Sequence, residues 1–180
     1  MKGRGVLSKL GILIVLLLIT GVFLFGSSLF NNNKSFENDK LEFTYPADWT
    51  PTNFTAINTS YSVQLYGNDT NIIFPVTIKT EVTKINMYTS DDPDEIILRK
   101  LVGKKYPEIA KSCERDDLYK KRHSLVTLKY KSIVDGKTEI RIFFLDGIHF
   151  CIIEGKTSKD DGVLEDKLDK IALSLDDKAL

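Results

Sequence analysis

Few residues of this chain have a type and spacing that could support chemistry. Its histidines are His123 and His149, and its cysteines are Cys113 and Cys151. His149 and Cys151 are two residues apart on an expected strand, so their side chains share one face and could begin a metal site. A zinc site needs three or four converging ligands, and no Cys-x-x-Cys, His-Glu-x-x-His or calcium-loop pattern provides the others. We therefore expect no bound metal and no cofactor.

Hydrolytic chemistry has equally little support in the sequence. No serine lies in a Gly-x-Ser-x-Gly pattern, and neither histidine has an aspartate partner at a recognisable spacing. Paired carboxylates in a cleft could hydrolyse glycosides, but their pairing cannot be read from the sequence. We expect a protein that is not an enzyme and has no catalytic residues, with a hydrolase as the least favoured alternative.

Two acidic runs precede the expected helices and could bind cations. They are Asp91, Asp92, Asp94 and Glu95, and then Asp160, Asp161, Glu165 and Asp166. Acidic side chains at a helix start also cap free amide groups and interact favourably with the helix dipole. We expect Asp92 to be the N-cap of the first helix, with Pro93 at its first position and Glu95 completing a capping box. Asp160 or Asp161 is expected to cap the second helix.

Basic residues give the first helix a positive side. They are Arg99, Lys100, Lys104 and Lys105, and Lys111, Lys120, Lys121 and Arg122 continue this character beyond the helix. Such a side is usually solvated, and the alternative is a surface for anionic headgroups or an acidic partner. Without the three basic residues of positions 1–30, 22 basic residues remain against 25 acidic ones. This balance predicts no binding to nucleic acid, which needs a clustered basic surface.

Cys113 and Cys151 are also candidates for a disulfide, because an even pair of cysteines in an oxidising compartment can be bonded. Cys151 is expected on the same sheet face as Ile142 and Phe144. Cys113 continues the apolar stripe of the first helix. If that helix covers the Ile142 face, the two cysteines are close in space, whether or not they are bonded.

An uninterrupted apolar run occupies residues 10–30 and contains no charged residue. Roughly 20 apolar residues at about 1.5 Å each cross a hydrocarbon core about 30 Å thick. Lys2, Arg4 and Lys9 precede the run, so the positive-inside rule places residues 1–9 in the cytoplasm. We expect a single-pass signal anchor in the cell membrane at residues 10–30, with the C-terminal domain extracytoplasmic.

A cleaved signal peptide is the alternative, because Gly26 and Ser28 could supply the small residues of a cleavage site. In both cases residues 31–180 lie outside the cytoplasm. Residues 31–39 are polar and show no apolar period, so we expect a tether there. Three glycosylation sequons begin in the outer part of the chain, at Asn53, Asn58 and Asn68, and their use depends on the organism.

The remaining residues, 40–180, are enough for one domain. Period-two alternation predicts strands at 40–45, 61–66 and 71–85, where Pro75 indicates an edge position or a bulge. A helix is expected from Asp92 to about Tyr106. Three strands then follow at 125–134, 137–145 and 148–154, and a last helix carries Leu164, Leu168, Ile171 and Leu175 on one side.

Two Asp-Gly pairs predict tight hairpin turns between the last three strands, at Asp135-Gly136 and Asp146-Gly147. These turns place Leu128 opposite Phe143, Leu145 opposite Ile148, and Phe143 opposite Phe150. The last two strands are then apolar on both faces, so each face of the sheet needs a cover. We expect helices to provide these covers.

The opening strand reads Phe43-Thr44-Tyr45-Pro46-Ala47-Asp48-Trp49, and the last helix closes with Ile171-Ala172-Leu173-Ser174-Leu175. With the order of elements, these segments resemble the PsbP-like superfamily over about residues 36–177. The resemblance implies an α+β fold, an α/β/α sandwich with a mostly antiparallel sheet of about six strands. It also implies a structural corner made by Phe43, Tyr45, Pro46, Asp48 and Trp49.

The photosynthetic member of that superfamily is an extrinsic subunit that steadies a metal cluster, whereas many prokaryotic relatives are anchored extracytoplasmic proteins. This chain has no His-rich or acidic N-terminal arm, so we do not carry over a role in metal retention. Our first hypothesis is an anchored, non-enzymatic interaction or assembly domain that binds another cell-surface protein. The alternative is a small-ligand or metal-binding module at the cell surface.

Overall fold

The computed structural model describes residues 33–83, 93–120, 123–160 and 162–177. The expected anchor at residues 10–30 lies outside these residues, as do Asp91, Asp92 and Asp161. Among the residues described, none of the helices combines the length and the apolar character that crossing a membrane requires. The anchor therefore stays a prediction.

The described part of the chain contains ten strands and two α-helices. Their order is β1 (Asn33–Glu37), β2 (Leu41–Pro46), β3 (Trp49–Ile57), β4 (Ser60–Gly67), β5 (Ile72–Val82), α1 (Asp94–Lys105), a 3-10 helix (Ala110–Ser112), β6 (Glu114–Lys120), β7 (His123–Val134), β8 (Lys137–Asp146), β9 (His149–Thr157), α2 (Val163–Ser174) and β10 (Asp176–Asp177).

Seven strands form one large antiparallel sheet in the order β3-β4-β5-β9-β8-β7-β6. Strands β1, β2 and β10 form a small second sheet in the order β1-β2-β10. One end of the large sheet holds the starts of β3, β5 and β8, and we name it the Trp49 end. The opposite end holds the start of β9 and the end of β5, and we name it the His149 end.

The two helices cover opposite faces of the large sheet, as the two-sided apolar strands predicted. α1 packs against β7 and β8, and its core includes Leu98, Val102 and Phe143. α2 and the small sheet lie on the other face, where Phe43 and Leu168 are buried. The fold is a mostly antiparallel α+β sandwich, with seven strands in the main sheet instead of about six.

One of the two predicted hairpin turns has a different register. Asp135 and Gly136 both have positive φ, 52° and 70°, and Leu128 pairs with Phe143 as expected. In the second hairpin the central residues are Gly147 and Ile148, because Asp146 pairs with His149. Gly147 has a φ of 54°, which is the geometry of a turn that needs glycine only at its first central position.

The pairing of β8 with β9 is therefore displaced by two residues from the prediction. Leu145 lies opposite Phe150 instead of Ile148, and Phe143 lies opposite Ile152. Because side chains alternate with a period of two, a displacement by two keeps every residue on its predicted face.

The predicted helix caps are also corrected. Pro93 is the N-cap of α1, and its carbonyl accepts hydrogen bonds from the amides of Ile96 and Ile97. Gly162 is the N-cap of α2 with a φ of 77°, a conformation that an acidic residue adopts only at a cost. Asp160 instead forms an ion pair with Lys131 at 2.7 Å.

Four observed strands, β1, β3, β6 and the two-residue β10, were not predicted. β1 lies within the expected tether at 31–39, and Phe36 stacks on Phe43 with ring centroids 5.0 Å apart. This segment is therefore part of the domain. The expectation for Pro75 is resolved in favour of a bulge, because β5 is an interior strand whose pairing with β9 shifts between Ile73 and Thr77.

Candidate functional site

The aromatic corner carries structure and no chemistry. Trp49 is fully buried at the start of β3, and its ring meets Phe74 edge-on at 5.5 Å. Lys167 Nζ lies 5.2 Å from the Trp49 ring centroid on another side. A Cβ atom at Gly67 would be 2.7 Å from Trp49 Cδ1, so the corner requires glycine there.

The helix α1 covers only part of its sheet face. It packs mainly on β7 and β8, reaches β5 through the ion pair of Lys105 with Glu81, and leaves much of this side of β3 and β4 uncovered by described helices. At the His149 end, the register aligns Ser60 with Glu81 and Glu81 with Phe150 across three strands. Because Phe150 belongs to the core under α1, the whole row faces the α1 side.

A groove lies between α1 and this uncovered part of the sheet, and we name it the α1 groove. It has a volume of about 450 Å³. Its lining comprises Ser60, Glu81, Val82, Thr83, Lys100, Leu101, Lys104, Lys105 and Phe150. A smaller cavity of about 140 Å³ shares Ser60, Glu81, Lys105 and Phe150 with it and continues under Ile57 towards β3.

Basic side chains predominate among the described residues that line the α1 groove. They include three lysines and one glutamate, and Lys100 already has an interaction partner. Glu81 already forms an ion pair with Lys105, and Lys105 Nζ lies 5.9 Å from the centroid of the Phe150 ring. Lys104 is exposed and has no ion-pair partner within the described ranges. The groove therefore brings the apolar side chain of Leu101 beside basic side chains of α1.

The basic residues expected to form one surface are separated by the fold. Lys100, Lys104 and Lys105 line the α1 groove. Arg99 instead donates a hydrogen bond to Glu95 at 2.8 Å, and Lys120 ends β6, the edge strand on the far side of the sheet from β5. The residues that the sheet contributes to the groove, such as Glu81 and Phe150, were not predicted, because the pairing of β5 with β9 cannot be read from the sequence.

Three of the described acidic residues at the helix starts, Glu95, Asp160 and Glu165, form ion pairs. Glu95 accepts hydrogen bonds from Arg99 and from Arg115, the latter at 2.9 Å. The Arg99 and Arg115 guanidinium groups lower the pKa of Glu95. Among the residues that the structure describes, no group of three or more His, Cys, Asp or Glu side chains could hold a metal ion.

A second charged cluster joins α2 to strands β6 and β7 around one lysine. Lys129 Nζ lies 2.6 Å from Asp116, 3.2 Å from Glu165 and 2.8 Å from Asp169. Burial disfavours the charged lysine, but its hydrogen bonds to Asp116 and Asp169 outweigh this effect and raise its pKa. Burial also raises the pKa of Asp169, although Lys129 opposes that shift. This cluster joins elements of the fold, and Asp116, Lys129 and Glu165 also line a surface pocket of about 520 Å³.

The sheet face on which Cys113 was expected to meet Cys151 is wrong. Both cysteines are buried and free, but Cys113 packs in the core under α1 and Cys151 packs in the core on the α2 side. The reason is that α1 covers the Phe143 face of the sheet and not the Ile142 face. His149 is also buried, and its backbone carbonyl accepts a hydrogen bond from Cys151 Sγ at 3.8 Å.

We expect both thiols to remain free and slow to react in the folded protein. Burial raises the pKa of Cys113, so less thiolate, the reactive form, is present near neutral pH. Protein purified without reductant should give two thiols per chain with Ellman's reagent in denaturant and far fewer under native conditions. A chain that shows fewer than two thiols in denaturant, and regains them after reduction, contradicts this expectation.

The three sequon asparagines all lie on the exposed surface. Asn53 is at the irregular part of β3 and donates a hydrogen bond to Gln64 at 2.8 Å. Asn58 is in the β3–β4 turn, and Asn68 follows β4. Their positions leave room for a glycan without disturbing the core.

Comparison with known proteins supports the fold alone. No family model and no curated protein matches the chain. The structure is similar to the solution structure of cyanobacterial PsbP (CyanoP) from Synechocystis, with a TM-score of 0.50, 11% identity and coverage of 81% of this chain and 92% of that protein. The described domain therefore has a PsbP-like fold.

A crystal structure from Bacteroides thetaiotaomicron is also similar. It has a TM-score of 0.49 and 14% identity, and the match covers 81% of this chain. This chain spans 48% of the length of that protein.

Proposed function

We propose that this protein is a membrane-anchored, extracytoplasmic interaction domain that binds another cell-surface protein and does not act as an enzyme. Residues 10–30 are the anchor in this proposal. The observation that carries it is the α1 groove, a surface groove lined by lysines and by the apolar side chain of Leu101.

The chain enters the domain at the Trp49 end of the sheet. β1 and β2 are neighbours in the small sheet and are joined by only three residues, so they must run antiparallel. The start of β1 therefore lies beside the end of β2, at Pro46, and a two-residue turn connects Pro46 to Trp49.

The α1 groove lies at the opposite end. It is formed by the start of β4, the end of β5 and the start of β9, all of which belong to the His149 end. The groove is therefore at the end of the sheet opposite to the start of β1. The described residues leave it open on one side, which favours a protein segment over an enclosed small molecule.

We expect the protein to stay in the membrane fraction after an alkaline carbonate wash, because an apolar run of this length partitions stably into the bilayer. Protease added outside intact cells should degrade the domain and leave a short membrane fragment. Immunoblotting with an antibody against the C-terminus, with and without permeabilisation, measures this accessibility.

A cleaved signal peptide gives a different result. The protein would then appear in the soluble extracytoplasmic fraction with a new N-terminus near Leu29, as read by N-terminal sequencing. Protection of the domain in intact cells would contradict the proposed orientation.

A further inference from the structure

We propose that the open edge of β7 at Lys131 and Ile133 takes up an extended segment of a partner protein as an additional antiparallel strand. A basic side chain of this segment enters the surface pocket beside the edge. This surface is separate from the α1 groove and is an addition to the proposed function.

β6 covers only part of β7. The pairing of the two strands begins with Glu114 opposite Lys129, whereas β7 continues to Val134. β6 is the last strand on this side of the sheet. Along residues 130–134, β7 is therefore the edge of the sheet as far as the described residues extend. An open edge is a template on which a further strand can pair.

The hairpin of β7 and β8 determines which backbone groups of this edge are free. It has a two-residue turn at 135–136, so the flanking residues Val134 and Lys137 form a hydrogen-bonded pair. Hydrogen-bonded and non-hydrogen-bonded pairs alternate along an antiparallel ladder. The amide and carbonyl groups of Lys131 and Ile133 therefore point away from β8, to the side that β6 leaves open.

The residues before β6 do not extend its pairing with β7. In the register of β6, Ser112 would lie opposite Lys131, but its amide donates a hydrogen bond to the carbonyl of Ile109. The space in line with β6 is the pocket of about 520 Å³, which Ser112, Lys131 and Ile133 line together with the start of β6. We name it the edge pocket. A strand added there would continue the line of β6.

Exposed apolar side chains lie on both faces of the open edge. Ile133 and Val134 are each 63% exposed. Successive side chains of a strand point to opposite faces, and Lys129 contacts α2, so Ile133 is on the α2 side and Val134 on the α1 side. An added strand would cover both, and β-branched pairs across neighbouring strands stabilise a sheet.

The α2 side of the open edge has more carboxylates than basic groups. The ion pairs of Lys129 and Lys131 use four carboxylates, those of Asp116, Asp160, Glu165 and Asp169. Glu114 is a fifth carboxylate at the edge pocket, and it forms no ion pair with any residue that the structure describes. A further basic side chain would meet complementary charge there, which contributes specificity at an interface.

Arg115 also lines the edge pocket but does not supply this charge. Its guanidinium lies 2.9 Å from Glu95 and 2.9 Å from Asp117, and neither acid lines the pocket. Because side chains alternate along β6, Arg115 points to the α1 side and Glu114 to the α2 side. The carboxylates on the α2 side therefore keep their excess.

A second copy of this chain does not fit the edge. Two copies use both free residues of each β7 only if Lys131 of one lies opposite Ile133 of the other. This register places Asp135 of the second copy opposite Lys129, a position that Glu114 already occupies. The added strand therefore belongs to a different protein and ends before Glu114.

The alternation of side chains gives the pattern of the partner segment. Residues directly opposite each other in an antiparallel pair share a face. A residue opposite Lys131 or Ile133 thus points to the edge pocket, and its neighbours point to the side of Val134. We expect a basic residue between two β-branched residues.

The experiment measures binding of labelled peptides to the full chain in nanodiscs of neutral phosphatidylcholine. The probe is Thr-Val-Arg-Val-Thr, and the charge control is Thr-Val-Glu-Val-Thr. We expect saturable binding of the arginine peptide, at least about tenfold tighter than that of the glutamate peptide. Equal binding of the two peptides, or no binding of the arginine peptide, overturns the inference.

Two methylated peptides test the addition of a strand. In the proposed pairing the amide of the arginine points to β7, and the amide of the valine before it points away. N-methylation of the arginine should weaken binding by about tenfold or more, and N-methylation of that valine should leave it within about twofold. Equal effects of the two methyl groups show that no strand is added.

Glu114→Lys should weaken binding of the arginine peptide by about tenfold or more. Glu108→Lys is the matched control, because it makes the same charge change at an exposed residue that does not line the edge pocket. It should leave binding within about twofold. Equal effects of the two substitutions overturn the inference.

Ile133→Pro removes one free amide of the edge, a position at which a strand tolerates proline. It should abolish binding of the arginine peptide while circular dichroism shows the wild-type fold, and unchanged binding by the folded variant contradicts the added strand. Sedimentation of the full chain in detergent tests the other occupant. A dimer that Ile133→Pro dissociates overturns the inference in favour of a second copy.

Discussion

Replacing Trp49 by alanine is expected to lower the free energy of unfolding by about 3–5 kcal/mol, the usual range for a fully buried large aromatic side chain. The ring is completely buried and packs against Phe74, and Gly67 leaves no Cβ that could move into the space. A cavity at this corner can therefore collapse only by moving backbone. For a marginally stable domain this loss is a large fraction of the total stability.

Urea unfolding of the full chain in detergent, followed by circular dichroism, measures this loss, because Trp49 is the single tryptophan and its fluorescence disappears with it. Tyr119→Ala is the matched control, since Tyr119 is an aromatic residue that is 73% exposed. The control should change the free energy of unfolding by no more than about 0.5 kcal/mol. An alanine variant at Trp49 with the wild-type midpoint would show that the corner does not hold β2 and β3 together.

Replacing Lys129 by methionine is expected to lower the free energy of unfolding by about 2–3 kcal/mol at neutral pH. The side chain of Lys129 is only 11% exposed and contacts three carboxylates, so the substitution leaves like charges together without a counter-ion. Breaking a fully buried ion pair costs about 3–5 kcal/mol, and the partial exposure of the acids reduces that figure. Lys79→Met is the control, because its single pair with Glu154 is more exposed and is expected to contribute less than about 1 kcal/mol.

The difference in the free energy of unfolding between wild type and the Lys129→Met variant should become smaller as the pH falls. The pKa of Asp169 in the folded protein is raised by burial, and removing Lys129 raises it further. A group with a raised folded-state pKa favours the fold when it is protonated, and this contribution is lost as the pH rises through that pKa. Urea unfolding of variant and wild type at pH 7 and at pH 4.5 measures this difference. A difference that is larger at pH 4.5 than at pH 7 contradicts the prediction.

The central elements could be predicted from the sequence, and the edge strands could not. β8 and β9 are buried on both faces, so their apolar runs and Asp-Gly turns are visible in the sequence. β3 contains Pro51 and is mostly exposed, and β6 reads ERDDLYK, so neither shows an apolar period. Edge strands often carry charge and proline because these features prevent pairing with other chains.

The candidate site was also predictable only in part, on its helix side and not on its sheet side. The cationic flank of α1 was visible as a cluster of lysines, because neighbours on a helix face follow from its period. Its partners across the groove, Glu81 and Phe150, come together through pairing between strands that are distant in the sequence. The placement of Cys113 failed for a related reason, since the period of α1 does not say which sheet face the helix covers.

The lengths of the central strands determine how far apart the two ends of the large sheet lie. β8 has 10 residues, and at about 3.3 Å per residue it spans roughly 30 Å from the Trp49 end to the His149 end. A segment that ran extended over the domain from one end to the other would need at least about nine residues. A shorter segment bound in the α1 groove therefore cannot also reach the Trp49 corner.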